Sequence, residues 1–191
     1  MGIVGDLFGI FLGLWKYPNY NLVNYFLLYL ITYPLAGFCM LYTFLIFQKL
    51  LKLTIKKTKP NKSVVFSFLI IGFLLFLVSV IFKTLFSFFL FASLIFVVLS
   101  VRDILMIKKN NYSYLSEIVQ NKRTYFILFF TTAYLHAIIH EFPNVFAKEW
   151  IYFNFPLMNL TLFSIPISVL FFSWLVLIIG PHAIYRKRTH I

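Results

Sequence analysis

Long, almost unbroken apolar runs alternate along this chain with short basic segments. The runs are apolar on all sides rather than on one helical face or on alternate residues. A helix needs about 20 apolar residues to cross the roughly 30 Å hydrocarbon layer of a bilayer. Five stretches meet or approach that length, at about 22–47, 63–82, 84–107, 124–142 and 157–180. Gly180-Pro181 reads as the stop of the last one. Lys83 alone separates the second from the third, with no Gly or Pro to mark the turn. The opening stretch 1–14 is apolar but too short to span. It carries Gly5, Gly9 and Gly13 at four-residue spacing, a ridge that would let another helix approach closely. It predicts a short interfacial or re-entrant helix packed on the bundle. With no basic segment before it, it does not read as a secretory signal.

Composition sharpens this picture. Of 191 residues, 62% are apolar and 12% charged, with a mean hydropathy of +0.92. A soluble domain is about 45–50% apolar and about 25% charged. A water-soluble fold of this size could not hide so much apolar surface. Soluble, disordered and disulfide-stapled classes are therefore excluded. The single cysteine, Cys39, allows no internal disulfide and no cysteine-based metal centre.

The formal charge of +12 would suggest nucleic acid in a soluble protein. Here the basic residues lie between apolar runs, which points to membrane lipids and not to nucleic acid. Lys49, Lys52, Lys56, Lys57, Lys59 and Lys62 follow the first run. Arg102, Lys108, Lys109, Lys122 and Arg123 flank the third and fourth. Arg186, Lys187 and Arg188 follow the fifth. Only Lys16, Lys83 and Lys148 fall on the other side. The positive-inside rule then gives N-terminus out and C-terminus in. The expected architecture is an all-α integral membrane protein: one polytopic domain, a bundle of five transmembrane helices plus the short N-terminal helix. It fits a prokaryotic cytoplasmic membrane or an organellar inner membrane.

Two outer segments echo each other. Aligning Asp6–Asn24 with Glu141–Asn159 superposes Phe11 on Phe146, Trp15 on Trp150 and Tyr17 on Tyr152. It also superposes Asn19 on Asn154, Leu22 on Leu157 and Asn24 on Asn159. Trp-x-Tyr outside a span is the usual aromatic anchor at the headgroups, and Asn there can cap the next helix. The competing reading is a duplicated or paired site.

Ionisable groups at the bilayer edge are costly and mark candidate chemistry. The fourth run ends His136-Ala-Ile-Ile-His140-Glu141, which puts both histidines on one helix face. Asp6 and Glu149 lie on the same side. Three readings fit. The first is acid–base catalysis without a cofactor, with Glu141 as acid, His140 and His136 as base or orienters, and Asp6 as the paired carboxyl. The second is a divalent metal held by His136 and His140, in an order that departs from HExxH. The third is packing, with the histidines hydrogen-bonded to Thr131, Thr132 or Tyr134.

Other features carry less chemistry. Asn110–Lys122 fits either an amphipathic interfacial helix or a solvated loop. Arg102-Asp103 reads as a snorkelling pair and Cys39 as apolar packing. Pro34 and Pro166 are expected to kink their spans. There is no phosphate loop, Asp-rich prenyl-diphosphate motif or second His box.

The order Glu141, Trp150-x-Tyr152, Ile165-Pro166-Ile167, Trp174 resembles the carotenoid-biosynthesis membrane proteins, namely the lycopene cyclase domain family and the related carotenoid hydratases. The resemblance covers about 40 residues. It implies a cofactor-free enzyme that protonates a polyene double bond, with Glu141 as the acid. The acidic residues that follow the membrane proline in that family are replaced here by Ser168-Val169-Leu170. The expected function is an acid–base enzyme on an apolar lipid or isoprenoid at the outer side. The alternative is a non-catalytic subunit bound to partner membrane subunits, which the Gly5/Gly9/Gly13 ridge would serve.

Overall fold

A computed structural model describes residues 2–81, 86–153, 157–170 and 174–190. Lys83 lies outside the described residues, so the turn between the second and third runs does too. The fold is all-α apart from two-residue strand pairs. In chain order it contains α1 (Gly2–Phe11), β1 (Trp15–Lys16), α2 (Leu22–Leu27), a π-helical turn (Leu28–Thr32) and α3 (Tyr33–Leu50). Then come α4 (Lys62–Ile81), α5 (Phe86–Asn110), α6 (Tyr114–Gln120), α7 (Lys122–Ala147) and β2 (Ile151–Tyr152). β3 (Thr161–Leu162), β4 (Ile165–Pro166) and α8 (Trp174–His190) complete it.

Four helical stretches are long and apolar enough to cross a membrane. They are Leu22–Leu50, Lys62–Ile81, Phe88–Lys109 and Lys122–Ala147. Their large outward residues, such as Phe38, Phe66, Ile70, Phe73, Phe126 and Ile139, are exposed, as lipid-facing side chains are. The chain is thus consistent with an integral, multi-pass membrane protein.

The fifth run differs from its expected form. Residues 161–166 make a small hairpin, with Thr161 opposite Pro166 and Leu162 opposite Ile165. Pro166 therefore sits in a strand and kinks no helix. The reason is local: Phe163 and Ser164 adopt positive φ, which turns the chain back instead of winding it. The helix resumes beyond it and continues past Gly180-Pro181 to His190, so that pair does not stop it. Pro181 is accommodated because its ring packs against Gly37 of α3, where a Cβ would stand 3.2 Å from Pro181 Cγ.

Helices α3, α7 and α8 pack on one another around Met40, Phe44, Leu128, Ala137 and Ile178, all fully buried. Helices α4 and α5 form a close hairpin, held where Ser93 donates to the Gly72 carbonyl at 2.7 Å. Helix α1 packs against α3, α5 and α8, as expected of a short helix lying on the bundle. The glycine ridge serves a different purpose from the expected one. A Cβ at Gly9 would overlap the ring of Trp15 of the same chain, and Gly13 turns the chain after α1 with φ of +68°.

At the lysine-rich end the connections are built, not loose. Ser113 caps α6, accepting from the Ser116 amide. Tyr114, Leu115, Ser116 and Glu117 are all buried. The segment is a plug inside the bundle, neither a surface helix nor a solvated loop. Asp103 accepts from the Ser113 hydroxyl at 2.8 Å, the Leu115 amide at 2.7 Å and Arg102 at 2.9 Å. Arg102 also donates to the Ala183 carbonyl at 3.0 Å. It ties α5 to α8 and does more than snorkel. Glu117 takes two bonds from Arg186, at 2.7 and 2.8 Å, and one from the Tyr125 hydroxyl. Asn121, Ser116 and Gln120 bond the backbone of Lys56, Asn61 and Lys59, which straps the lysine-rich loop to this plug.

Candidate functional site

The opposite end of the bundle holds a cavity of about 340 Å³. Its walls come from α1, β1, the π-helical turn, α3, α5, the end of α7, β2 and α8. It is predominantly aromatic. Trp15, Trp150 and Trp174, the chain's three tryptophans, all line it, with Tyr17, Tyr20, Tyr33 and Tyr152.

Asp6 and Glu141 are each 2% exposed. Asp6 Oδ1 accepts from Trp15 Nε1 at 2.7 Å and from the Tyr17 hydroxyl at 2.8 Å. Asp6 Oδ2 accepts from the Tyr29 hydroxyl at 2.9 Å. Glu141 Oε1 accepts from the Tyr152 hydroxyl at 2.6 Å and from Trp174 Nε1 at 2.9 Å. Glu141 Oε2 accepts from Trp150 Nε1 at 3.2 Å. Each acid therefore receives an indole nine residues on and a phenol eleven residues on.

The sequence echo is thus also geometric. Strands β1 and β2 pair antiparallel, with Trp15 opposite Tyr152 and Lys16 opposite Ile151. The Trp15 and Tyr152 rings meet edge-on at 6.3 Å, and Tyr17 and Trp150 at 6.5 Å. Anchoring at the headgroups would leave these polar tips in the interface. Instead the paired-site reading describes them: the tips turn inward onto two carboxyls. Burial and the adjacent carboxylates push the Tyr17 and Tyr152 phenols well above the ordinary tyrosine range, so both remain neutral donors.

Local sequence explains the placement. The π-helical turn ahead of Pro34 re-registers the first span. Tyr25, Tyr29 and Tyr33 stack along one face at 6.0 Å steps, and Tyr29 reaches Asp6. Lys148 in the left-handed conformation ends α7 and turns the chain back. Asn144 then clamps Trp150, donating to its carbonyl at 3.0 Å and accepting from its amide at 3.1 Å.

Of the four residues singled out from sequence, Asp6 and His140 line the cavity. Glu141 stands behind the wall made by Trp150, Tyr152 and Trp174. His136 lies one turn deeper and does not line this cavity. His140 stacks on Trp174 at 4.7 Å and on His136 at 5.9 Å. His136 Nε2 meets Thr43 Oγ1 at 3.1 Å, not Thr131, Thr132 or Tyr134. Thr43 donates its hydroxyl proton to the Cys39 carbonyl at 2.8 Å, so Nε2 carries the ring proton and Nδ1 is left bare. Among the described residues no group of three His, Cys, Asp or Glu side chains converges as a metal site would require.

Sequence reasoning missed Tyr29 and Asn144, and gave Trp174 a place in the resemblance but no role at the site. Trp174 carried a signal, since an indole N–H in mid-span needs a buried acceptor. The residues that carry the carotenoid-family resemblance, Glu141, Trp150, Tyr152 and Trp174, form one bonded cluster, whereas Ile165-Pro166 lies in the hairpin. No protein-family model, curated protein or solved structure matches the chain.

Gly9 gives a direct check on the Asp6 cage. Gly9→Ala is expected to push Trp15 off Asp6 and cost about 1–3 kcal/mol through overpacking. Tryptophan emission should shift while the size-exclusion profile stays unchanged. A glycine serving a partner helix would give the reverse.

Proposed function

We propose that this chain is a cofactor-free acid–base enzyme of the membrane, acting on an apolar lipid or isoprenoid at the outer side of the bilayer. In this reading α8 makes the fifth crossing, and the lysine-rich end faces inward. One observation carries the proposal: two buried carboxyls, each in a cage of neutral aromatic donors, flank a single aromatic-walled cavity.

The roles follow from access. Asp6 lines the cavity, with the Tyr33 hydroxyl beside it. It is the acid that meets substrate. Glu141 has an indole N–H on each oxygen, and indole can only donate. It is the fixed negative charge behind the wall. This exchanges the roles expected from sequence, because Glu141 is screened from the cavity by its own donors. The Asp6 O–H bond breaks and its proton adds to one carbon of a substrate double bond. The former π pair becomes the new C–H bond, and positive charge develops on the other carbon. The aromatic faces and Glu141 stabilise that charge. A neighbouring carbon then gives a proton to His140, whose release to solvent and the reprotonation of Asp6 complete the cycle. His136 orients His140 through ring stacking.

The subunit reading loses the support of the glycine ridge at Gly9, which packs under Trp15 of the same chain. The test is deuterium incorporation. Membranes containing the chain are incubated in D₂O with a lipid extract, and lipid masses are read against membranes lacking it. A lipid that gains deuterium only in the presence of the chain supports the proposal. Identical lipid masses in both overturn it.

A further inference from the structure

We infer that the aromatic cavity receives a quaternary ammonium group carried at the end of an apolar chain. This rests on the site proposed above and narrows its ligand from an apolar lipid to an amphiphile with a cationic head.

Four acids of this chain are buried: Asp6, Asp103, Glu117 and Glu141. Asp103 and Glu117 each hold an arginine, at 2.9 and 2.7 Å. Asp6 and Glu141 hold none among the described residues, and the bonds to them come from neutral indoles, phenols and the Asn144 amide. No lysine or arginine is among the described residues of the cavity wall. His140 stands on that wall, but no described ion pair joins it to either carboxyl. A buried carboxylate without a cation is costly, and neutral donors offset only part of that cost. Asp6 carries its proton in the reading above, so the uncompensated charge is that of Glu141, and Glu141 stands directly behind the cavity wall.

Each acid already accepts at least three hydrogen bonds. A primary ammonium would bring three further N–H groups needing acceptors. A quaternary ammonium brings charge and bulk but no donor. It is also the cation that aromatic faces hold best, through the negative face of the ring quadrupole. Trp15, Tyr17, Trp150 and Trp174 supply such rings here. A pocket of about 340 Å³ falls at the small end of ligand sites, suited to a headgroup and its first methylenes.

All three tryptophans line the cavity, so tryptophan emission, excited selectively over tyrosine, reports this site. The experiment titrates dodecyltrimethylammonium into the full chain in an uncharged detergent. The control is its neutral isostere, in which carbon replaces the nitrogen. The expected result is a saturable change in emission with the cation, at an affinity at least about tenfold above the isostere. Glu141→Gln should remove most of that preference. Equal affinity for the two probes, or no saturable change, overturns the inference. The comparison uses the wild-type chain, so it is decisive even where Glu141→Gln does not fold. Cation preference without deuterium incorporation would keep the receptor and remove the acid–base chemistry. Incorporation without cation preference would do the opposite.

Discussion

Asp6→Asn is expected to lower chain-dependent deuterium incorporation by about 10²–10⁴-fold, the usual contribution of a positioned proton donor. The amide keeps the shape of the carboxyl: its oxygen can still accept from Trp15 and Tyr17, and its nitrogen can donate to the Tyr29 hydroxyl, which turns to accept. It cannot deliver an acid proton. The fold should therefore survive, and far-UV circular dichroism checks that it does. Glu141→Gln should also lower incorporation, by a smaller factor, because it removes a fixed charge and leaves the donor in place. If Glu141→Gln abolishes incorporation and Asp6→Asn leaves it intact, the acid is Glu141, as the sequence reading held, and the access argument fails. Tyr29→Phe separates the two further. It frees Asp6 Oδ2 of its described phenol and touches nothing at Glu141, so its effect should fall on the Asp6 step alone.

What was legible in the sequence divides by the range of the interactions involved. Run length and basic flanks disclosed four helices long enough to span, because the bilayer imposes that length whatever the tertiary contacts are. The fifth run misled. Residues 161–166 are as apolar as a span, and hydropathy cannot register a turn set by positive φ at Phe163 and Ser164. Pro181 likewise reads as a stop, yet α8 continues past it with the ring seated against Gly37, a contact made across helices. The candidate acids were visible because charge at a bilayer edge is costly, and the paired Trp-x-Tyr steps were visible as a repeat. Their direction was not. Whether Trp15 and Tyr17 face headgroups or Asp6 depends on the antiparallel pairing of β1 with β2, a contact between residues far apart in the chain. The lysine-rich end was read through charge alone. That Arg186 turns inward to Glu117, while neighbouring lysines of the loop stay exposed, depends on the burial of α6.

Arg186→Leu is expected to cost about 3–5 kcal/mol of stability, the range for removing one partner of a buried ion pair. Glu117 is 0% exposed at its side chain and Arg186 13%, so bulk water cannot replace the guanidinium. The two parallel bonds to Glu117 join α6 to α8, and Tyr125 adds α7 to the same carboxylate. Losing the arginine leaves a carboxylate sealed among three helices. Thermal unfolding in detergent, followed by far-UV circular dichroism, should report a large drop in midpoint. The double variant Glu117→Gln, Arg186→Leu should recover much of it, because a neutral amide costs far less to bury than a carboxylate that has lost its guanidinium. Arg102→Leu is the control. Arg102 is 24% exposed, and Asp103 keeps the Ser113 hydroxyl and the Leu115 amide when the arginine is gone. Its loss should cost less than that of Arg186. High salt should leave the ranking unchanged, since buried pairs are screened far less than exposed ones. Equally small losses for the two arginines would mean that both act as surface charges and that α6 is not sealed in the bundle. The same variants bear on the cavity from a distance. Arg186 and Trp174 lie on one helix, so a cation preference that survives Arg186→Leu would place that preference in the aromatic cage and not in the anchoring of α8.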